Sequence, residues 1–415
     1  MTLLLLSYLA CSDKDIDDTD VPEGDADTDT DADTDVGSYD CGDQEDSTLC
    51  TAWIRSTGNT PLVDAGTPAD VKGIALSGET WVISTSGLPS YTYTVSEDDI
   101  TLMNSRQQAD TDFVSGETTA VPGTTYDWGA DVGFRSFSNG GQCDEGAGYG
   151  WWPPGPECPY DQDKSMTFPA SPSAASTNAI CETGLGASGY WINGVSIYNW
   201  GDGFAYDTDG QWRNVAPTQE AYDVGLCGGH AAGGDYHHHS YSACLAGVAG
   251  DSGDGHSPIY GFAADGYPIH GPWHANGEEA QSCWVARDYD SADEGDYGCG
   301  GTGERSCVMV DPLDPSKGTE AASMNGPKTS DSVTSLSGNV FEATQPLYYE
   351  DYYYDEGCTS AGGAALDAHN GHDHDALGYH YHVTTTFPFT LGPTLYGEVV
   401  DNGVNCDGVT TGMGM

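Results

Sequence analysis

The sequence predicts a mainly β fold: a sandwich- or barrel-like, disulfide-bonded domain with long Gly/Asp-rich loops and little helix. Three observations carry this. Glycine supplies 57 of the 415 residues, and Gly, Asp, Ser and Pro clusters separate short runs rich in Val, Ile, Thr, Tyr and Trp, the pattern of strands joined by turns. Thirteen cysteines are scattered with no pair at CxxC spacing, which argues against zinc ribbons and thioredoxin-like motifs and for disulfides in an oxidising compartment. Lys, Arg and Ala-Leu-rich runs are few, so helices lack their usual material.

Taken in order, the chain starts with Met1-Thr2-Leu3-Leu4-Leu5-Leu6-Ser7-Tyr8-Leu9-Ala10-Cys11, which has the form of an export signal ending at a lipoprotein-type cleavage site (residues 1–11) with Cys11 lipidated. It has no basic n-region and a short apolar run, which a truncated gene start would explain; the alternative is a plain secretory signal. With Cys11 lipidated, twelve of the thirteen cysteines remain, an even number able to form six disulfides. No other segment approaches the ~20 apolar residues of a membrane span. The expected location is therefore the outer membrane or cell surface as a lipoprotein, otherwise the periplasm or the medium, with membrane contact only through the lipid.

Residues 12–46 form an acidic linker. Its centre, Asp25 to Asp35, alternates Asp with Ala and Thr, a self-repelling low-complexity tract expected to be extended. An EF-hand register fails, because read from Asp25 the required Gly and Glu positions hold Thr30 and Val36. Loose cation attraction is what the tract offers. Across the chain, 65 acidic against 11 basic residues give a formal charge of −54, which repels nucleic acid and anionic membrane.

One domain is expected over 47–415, its core roughly 70–397, with loop insertions near 105–160 and 275–345. Cys41 and Cys50 suit a small disulfide loop. Strands are predicted at Gly73–Leu76, Trp81–Ser84, Tyr91–Val95, Ser165–Pro169 and Tyr190–Trp200, and from Gly261 through a turn at Asp265-Gly266 to Pro272. Trp151 and Trp152 offer either a carbohydrate-stacking platform or a lid on a small core. A short helix is expected to begin at Ala364–His369, and a strand pair through Tyr396–Val400 closes the chain.

The strongest signal is a duplication. Leu377-Gly378-Tyr379-His380-Tyr381-His382-Val383-Thr384 reads as a strand with His380 and His382 on one face, and His369, His372 and His374 lie just upstream. The same phrase occurs earlier as Gly229-His230, a Gly-rich spacer, then Asp235-Tyr236-His237-His238-His239, so that His230, His237 and His239 match His372, His380 and His382. Cys227 and Cys244 bracket the first copy, and a bond between them would pin it.

These motifs, with Thr85-Ser86-Gly87-Leu88-Pro89, Trp191-Ile192-Asn193-Gly194, Gly210-Gln211-Trp212, Ser257 to Ile269 and Phe387-Pro388-Phe389 in order, resemble the YHYH domain family of exported bacterial and archaeal proteins. The resemblance covers roughly residues 70–397. Two positions depart from it: His238 stands where the first motif usually has Tyr, and His369 where the second usually has Cys, implying one disulfide fewer or one ligand more.

Histidines paired on strand faces are the donor set of a transition-metal site. The principal candidates are His230, His237, His239, His372, His380 and His382. The weaker candidates are His369, His374, Asp265, His270 and Asp367, with Asp265, Asp367 and Asp373 as carboxylate ligands or imidazole orienters. Pairing of the two copies side by side is expected to bring His237, His239, His380 and His382 into one cluster. His238, on the other face, is expected to be exposed, and His256 and His274 carry weak individual signals. N and O donors favour copper, zinc or iron. No HExxH, GxSxG or P-loop singles out a reaction. The alternative is a structural or adhesive surface module, its histidines stabilising the fold and its aromatics meeting a glycan or protein partner.

Overall fold

Thr80–Thr85 alternates buried Trp81, Ile83 and Thr85 with half-exposed neighbours, the period-two pattern of a strand covered on one face. It is the third strand (β3) of a four-stranded sheet, with Tyr39–Asp40 (β1), Val71–Ser77 (β2) and Lys164–Pro169 (β4), in the order β1-β2-β3-β4. The computed structural model describes residues 38–58, 67–105, 113–133, 158–206, 210–221, 224–290, 297–334, 340–344, 346–400 and 403–410. Cys11, most of the acidic linker, and Trp151 and Trp152 lie outside them. Tyr39 and Asp40 pair with Ile74 and Ala75, so sheet pairing is established ahead of residue 47.

The second sheet has eight strands: Gly189–Trp191 (β5), Ser196–Ile197 (β6), Gly229–Ala232 (β7), Asp235–His238 (β8), Ile259–Ala263 (β9), Pro268–His270 (β10), Gly371–His374 (β11) and Gly378–His382 (β12). Their order is β7-β8-β6-β5-β9-β10-β12-β11, an open sheet and not a closed barrel. The sheets pack face to face through aromatic rings: Phe168 lies 6.3 Å from Tyr190, and Trp53, from the segment before β2, lies 6.0 Å from Phe168 and 5.2 Å from Phe262. The fold is mainly β, as expected.

The eight strands are two copies of one four-strand unit. Each copy is a tight hairpin whose second strand runs parallel to the second strand of a histidine hairpin: β5-β6 with β7-β8, and β9-β10 with β11-β12. The tight turns match bond for bond. Trp191 N–H donates to Val195 O and Gly194 N–H to Trp191 O, while Ala263 N–H donates to Tyr267 O and Gly266 N–H to Ala263 O. Gly194 and Gly266 both have positive φ (79° and 84°), and a Cβ on Gly194 would lie 2.2 Å from Thr85 Oγ1, so this turn needs glycine. The copies meet where β5 and β9 pair antiparallel, Gly261 opposite Trp191, Phe262 opposite Tyr190 and Ala263 opposite Gly189. That register is symmetric about the Tyr190–Phe262 pair.

Five disulfides join Cys41–Cys50, Cys181–Cys406, Cys227–Cys244, Cys283–Cys358 and Cys299–Cys307, and Cys158 is also disulfide-bonded. Among the described residues, two helices longer than a single turn go beyond what the sequence predicts. Glu97–Ser105 starts from a reciprocal cap in which Asp99 accepts from Ser96 N–H and Ser96 Oγ accepts from Asp99 N–H. Ala243–Ala249 is capped by Ser242 and ended by left-handed Gly250. Conversely, Ala364–His369 forms no helix, because Ala364 and Leu366 hydrogen-bond to Gln281 and Asp367 opens a turn. The expected strand pair at Tyr396–Val400 reduces to a bridge between Gly397 and Ala174. Among the described residues no helix is long and apolar enough to cross a membrane.

Candidate metal centres

The first histidine hairpin closes on two glycines. Ala232 pairs with Asp235, so Gly233-Gly234 is a two-residue loop, and both glycines have positive φ (60° and 79°), as a twist-matched hairpin turn demands. This register sets His230 directly opposite His237, and strand alternation returns His239 to the same face as His237. Asp235, which opens β8, is 5 % exposed and fully engaged: it accepts from Lys164, Ser196 Oγ and Tyr198 OH. The Tyr198 ring stacks on His237 at 3.7 Å. The Cys227–Cys244 disulfide closes the segment at both ends.

Three imidazoles meet there. His237 Nδ1–H donates to Asp235 O at 2.8 Å and His239 Nδ1–H to Asn199 O at 2.5 Å. A carbonyl only accepts, so each Nδ1 carries the proton and each neutral ring presents its Nε2 lone pair. Those two Nε2 atoms face each other at 3.1 Å. Glu220 Oε2 completes the ring, 3.3 Å from Nε2 of both His230 and His239. Burial, helped by the neighbouring imidazoles, pushes His230 down to about 3 and His237 well below its ordinary value; burial holds His239 at about 4. The rings are neutral at pH 7, and the space they surround is bordered by acceptors.

The second hairpin repeats this geometry. His380 Nδ1–H donates to Gly378 O at 2.9 Å, His382 Nδ1–H donates to Gly271 O at 2.6 Å, and the two Nε2 atoms face each other at 3.2 Å. Asp235 and Gly378, and Asn199 and Gly271, are thus the same two carbonyls in the two copies. His372 lies opposite His380, as His230 lies opposite His237. The fourth member differs in kind. His256, from the loop before β9, brings its Nε2 to 3.1 Å from His380 Nε2, its Nδ1–H held by Ser257 O at 2.9 Å. One donor atom from each of His256, His372, His380 and His382 lies within 4.8 Å of the others, and the same holds for His230, His237 and His239, and for His274, His372 and His374. Burial lowers His372 and His380 to about 4 and His382 further, and also lowers His256.

The single four-histidine cluster expected from sequence does not form. β8 and β12 are separated by the four strands β6-β5-β9-β10, so the two pairs lie five strand spacings apart, roughly 24 Å. Among the described residues the donors gather at two places, each at the hairpin of its own copy. His238 is buried, not exposed, because the second sheet face packs against the first: its ring lies 5.5–6.2 Å from Tyr91, Trp191 and Tyr236. Asp265 sits on that opposite face, accepting from Tyr381 OH and the N–H groups of Gly397 and Tyr267. Asp367 accepts from Tyr379 OH and from the N–H groups of His369 and Gly371, fixing a turn. Neither orients an imidazole of the centres; main-chain carbonyls do that. Asp373 is exposed on β11. His369 points to Thr394, whose carbonyl and hydroxyl lie 3.0 and 2.8 Å from its Nδ1, and joins neither centre. His270 lies beside His380 (4.6 Å between rings) with its Nδ1–H on Ser257 O, but supplies no donor to a group, whereas His374, His256 and His274 do. Glu220 was beyond sequence reasoning: one Glu among 65 acidic residues carries no distinguishing signal.

The centres fit a cation by their chemistry. Imidazoles fixed through Nδ1–H by carbonyls present Nε2 in the manner of metal-ligating histidines. Three imidazoles and a carboxylate in the first centre, and four imidazoles in the second, are donor sets for zinc, copper or iron.

Fold and site together define a disulfide-bonded, mainly β protein carrying a duplicated histidine hairpin. A family model described as "YHYH protein" matches residues 165–397, more than half of the chain and all eight strands of the second sheet. The chain belongs to the YHYH protein family. No curated protein and no solved structure matches it. Family and disulfides together suggest an extracellular protein.

Proposed function

We propose that this chain is an exported protein that binds transition-metal ions at two centres, His230/His237/His239 with Glu220, and His256/His372/His380/His382. The observation that carries the reading is the pair of facing Nε2 atoms, at 3.1 Å between His237 and His239 and at 3.2 Å between His380 and His382, with every Nδ1 in both pairs already donating to a carbonyl. Two lone pairs at that distance repel unless a cation lies between them, and burial disfavours a protonated ring there. A structural ladder of histidines would instead alternate donors with acceptors.

Export and a lipid anchor at Cys11 are part of the proposal; the disulfides support export by fitting an oxidising compartment. Metal-dependent catalysis is assigned to the second centre, where His256 and His372 are half-exposed while His380 and His382 are buried. A bound ion there would supply Lewis-acid or redox chemistry. The protein's part is to hold the rings in one tautomer and to keep the inner two away from water.

The test is elemental analysis of the untagged chain purified from an oxidising compartment, beside the His380→Ala/His382→Ala and His237→Ala/His239→Ala double variants. At least two tightly held zinc, copper or iron ions per chain are expected, with separate losses in the two variants. A stable, metal-free chain that takes up no added metal overturns the proposal in favour of a structural or adhesive module. Incorporation of labelled fatty acid, abolished by Cys11→Ala, tests the anchor.

A further inference from the structure

The second hairpin carries more histidine than one ion needs. His274 and His374, both half-exposed, form a further group with His372, and the His274 and His374 rings stack at 4.5 Å. His372 belongs to both this group and the buried one. Its ring lies 5.3 and 5.4 Å from His274 and His374, and 5.0 and 5.2 Å from His380 and His382. Its Nε2 is buried and has no hydrogen-bond partner. Neutral imidazole has one lone-pair nitrogen and one N–H; when a second cation binds and the N–H proton passes to solvent, the imidazolate presents a donor nitrogen on each edge, so one histidine shared by two donor groups is able to serve both.

The first hairpin is a built-in comparison. The register that sets His374 opposite Gly378 sets Ala232 opposite Asp235 in the other copy. Counting on from the matched carbonyls of Gly271 and Asn199, His274 corresponds to Asp202, whose carboxylate accepts from Phe204 N–H and from Asn214. Among the described residues the outer group exists only in the second copy.

We propose that the second centre is a two-ion site: an inner ion on His256, His380 and His382, an outer ion on His274 and His374, and His372 between them as an imidazolate, its N–H proton released to solvent, giving one ring nitrogen to each. Donors that are nitrogen throughout select copper or zinc over magnesium, calcium or manganese. The inference rests on the metal-binding reading above and adds a third ion to it.

The experiment is titration of the full chain with Cu(II), followed by equilibrium dialysis and electron paramagnetic resonance. Wild type is expected to retain three ions per chain, one in the first centre and two in the second. Its integrated signal at saturation falls short of three isolated Cu(II) ions, because the two neighbouring ions couple. His274→Ala/His374→Ala retains two ions with full signal for both. His374→Gln, which keeps side-chain bulk at a half-exposed position, also drops to two, separating ligand loss from misfolding. A wild type that stops at two ions overturns the third site and leaves the metal-binding reading standing; so does an outer-group variant that loses two ions at once. A chain that binds none overturns both.

Discussion

Tyr381 donates a 2.5 Å hydrogen bond to Asp265 on the face of the sheet opposite the imidazoles of its neighbours His380 and His382. The strand thus has one face that builds the centre and one that holds the strand in place. Tyr381 OH also accepts from Tyr396 N–H, and Asp265 also accepts from Gly397 N–H, so the closing segment hangs on the same pair. Tyr381→Phe leaves buried polar groups short of a partner, at a cost of about 1–3 kcal/mol. The expected result is a lower melting temperature with unchanged metal content, read by thermal denaturation beside elemental analysis; metal loss at unchanged stability would contradict this division of the two faces.

The first centre is distinguished by its carboxylate. With His380→Ala/His382→Ala as background, Glu220→Gln is expected to weaken the ion of the first centre by about tenfold or more, on the scale of changes around a metal. Chelator competition measures it. In the converse background, with His237 and His239 replaced, Glu220→Gln leaves the ions of the second centre unchanged, because Glu220 lies 3.3 Å from His230 and His239 of the first centre, whose strand β8 stands five spacings from β12.

The Cys227–Cys244 bond closes a segment of sequence separation 17 around the first hairpin. Replacing both cysteines by serine is expected to cost about 3 kcal/mol by loop entropy. It also lowers ion retention at the first centre while sparing the second, an asymmetry visible by comparing metal content with and without the His380/His382 substitutions.

Asp70 provides a pH dependence in which no histidine titrates. Burial raises its carboxyl to about 6, against which the hydrogen bonds from Ser90 N–H and Oγ act only in part. The folded chain therefore holds a proton that the unfolded chain releases near the ordinary carboxyl value of 3.8, and this contribution to stability declines as pH rises from about 4 to about 6. Asp70→Asn removes the titration. Its stability relative to wild type should rise by up to about 3 kcal/mol between pH 4 and 7, followed by denaturant unfolding at both pH values. A flat difference would show that Asp70 does not titrate in that range.

Much of this was legible in the chain. Alternation located β2, β3 and β4, and the repeated Gly-His/Tyr-His-x-His phrase gave six of the donors, because strand period and histidine spacing are local properties. What escaped is set by distance along the chain. Glu220, His256 and His274 come from loops and neighbouring strands, and only tertiary pairing brings them in. The orienting groups were illegible for another reason: Asn199, Gly271, Gly378 and Ser257 act through main-chain carbonyls, which every residue has. The match between Trp191–Asn199 and Ala263–Gly271 is hidden as well, since it is conserved in hydrogen bonds and hardly at all in side chains.

The register symmetric about Tyr190 and Phe262 has a consequence for origin. Cut between β5 and β9, each half would expose an edge strand whose unpaired N–H and C=O groups are complementary to those of its own copy. A half-length ancestor would close that edge by isologous dimerisation, with two identical centres. Joining the halves into one chain removes the obligation of identity. Each copy would then be free to differ, as the two do in the carboxylate of Glu220 beside the first hairpin and the imidazoles of His256, His274 and His374 beside the second.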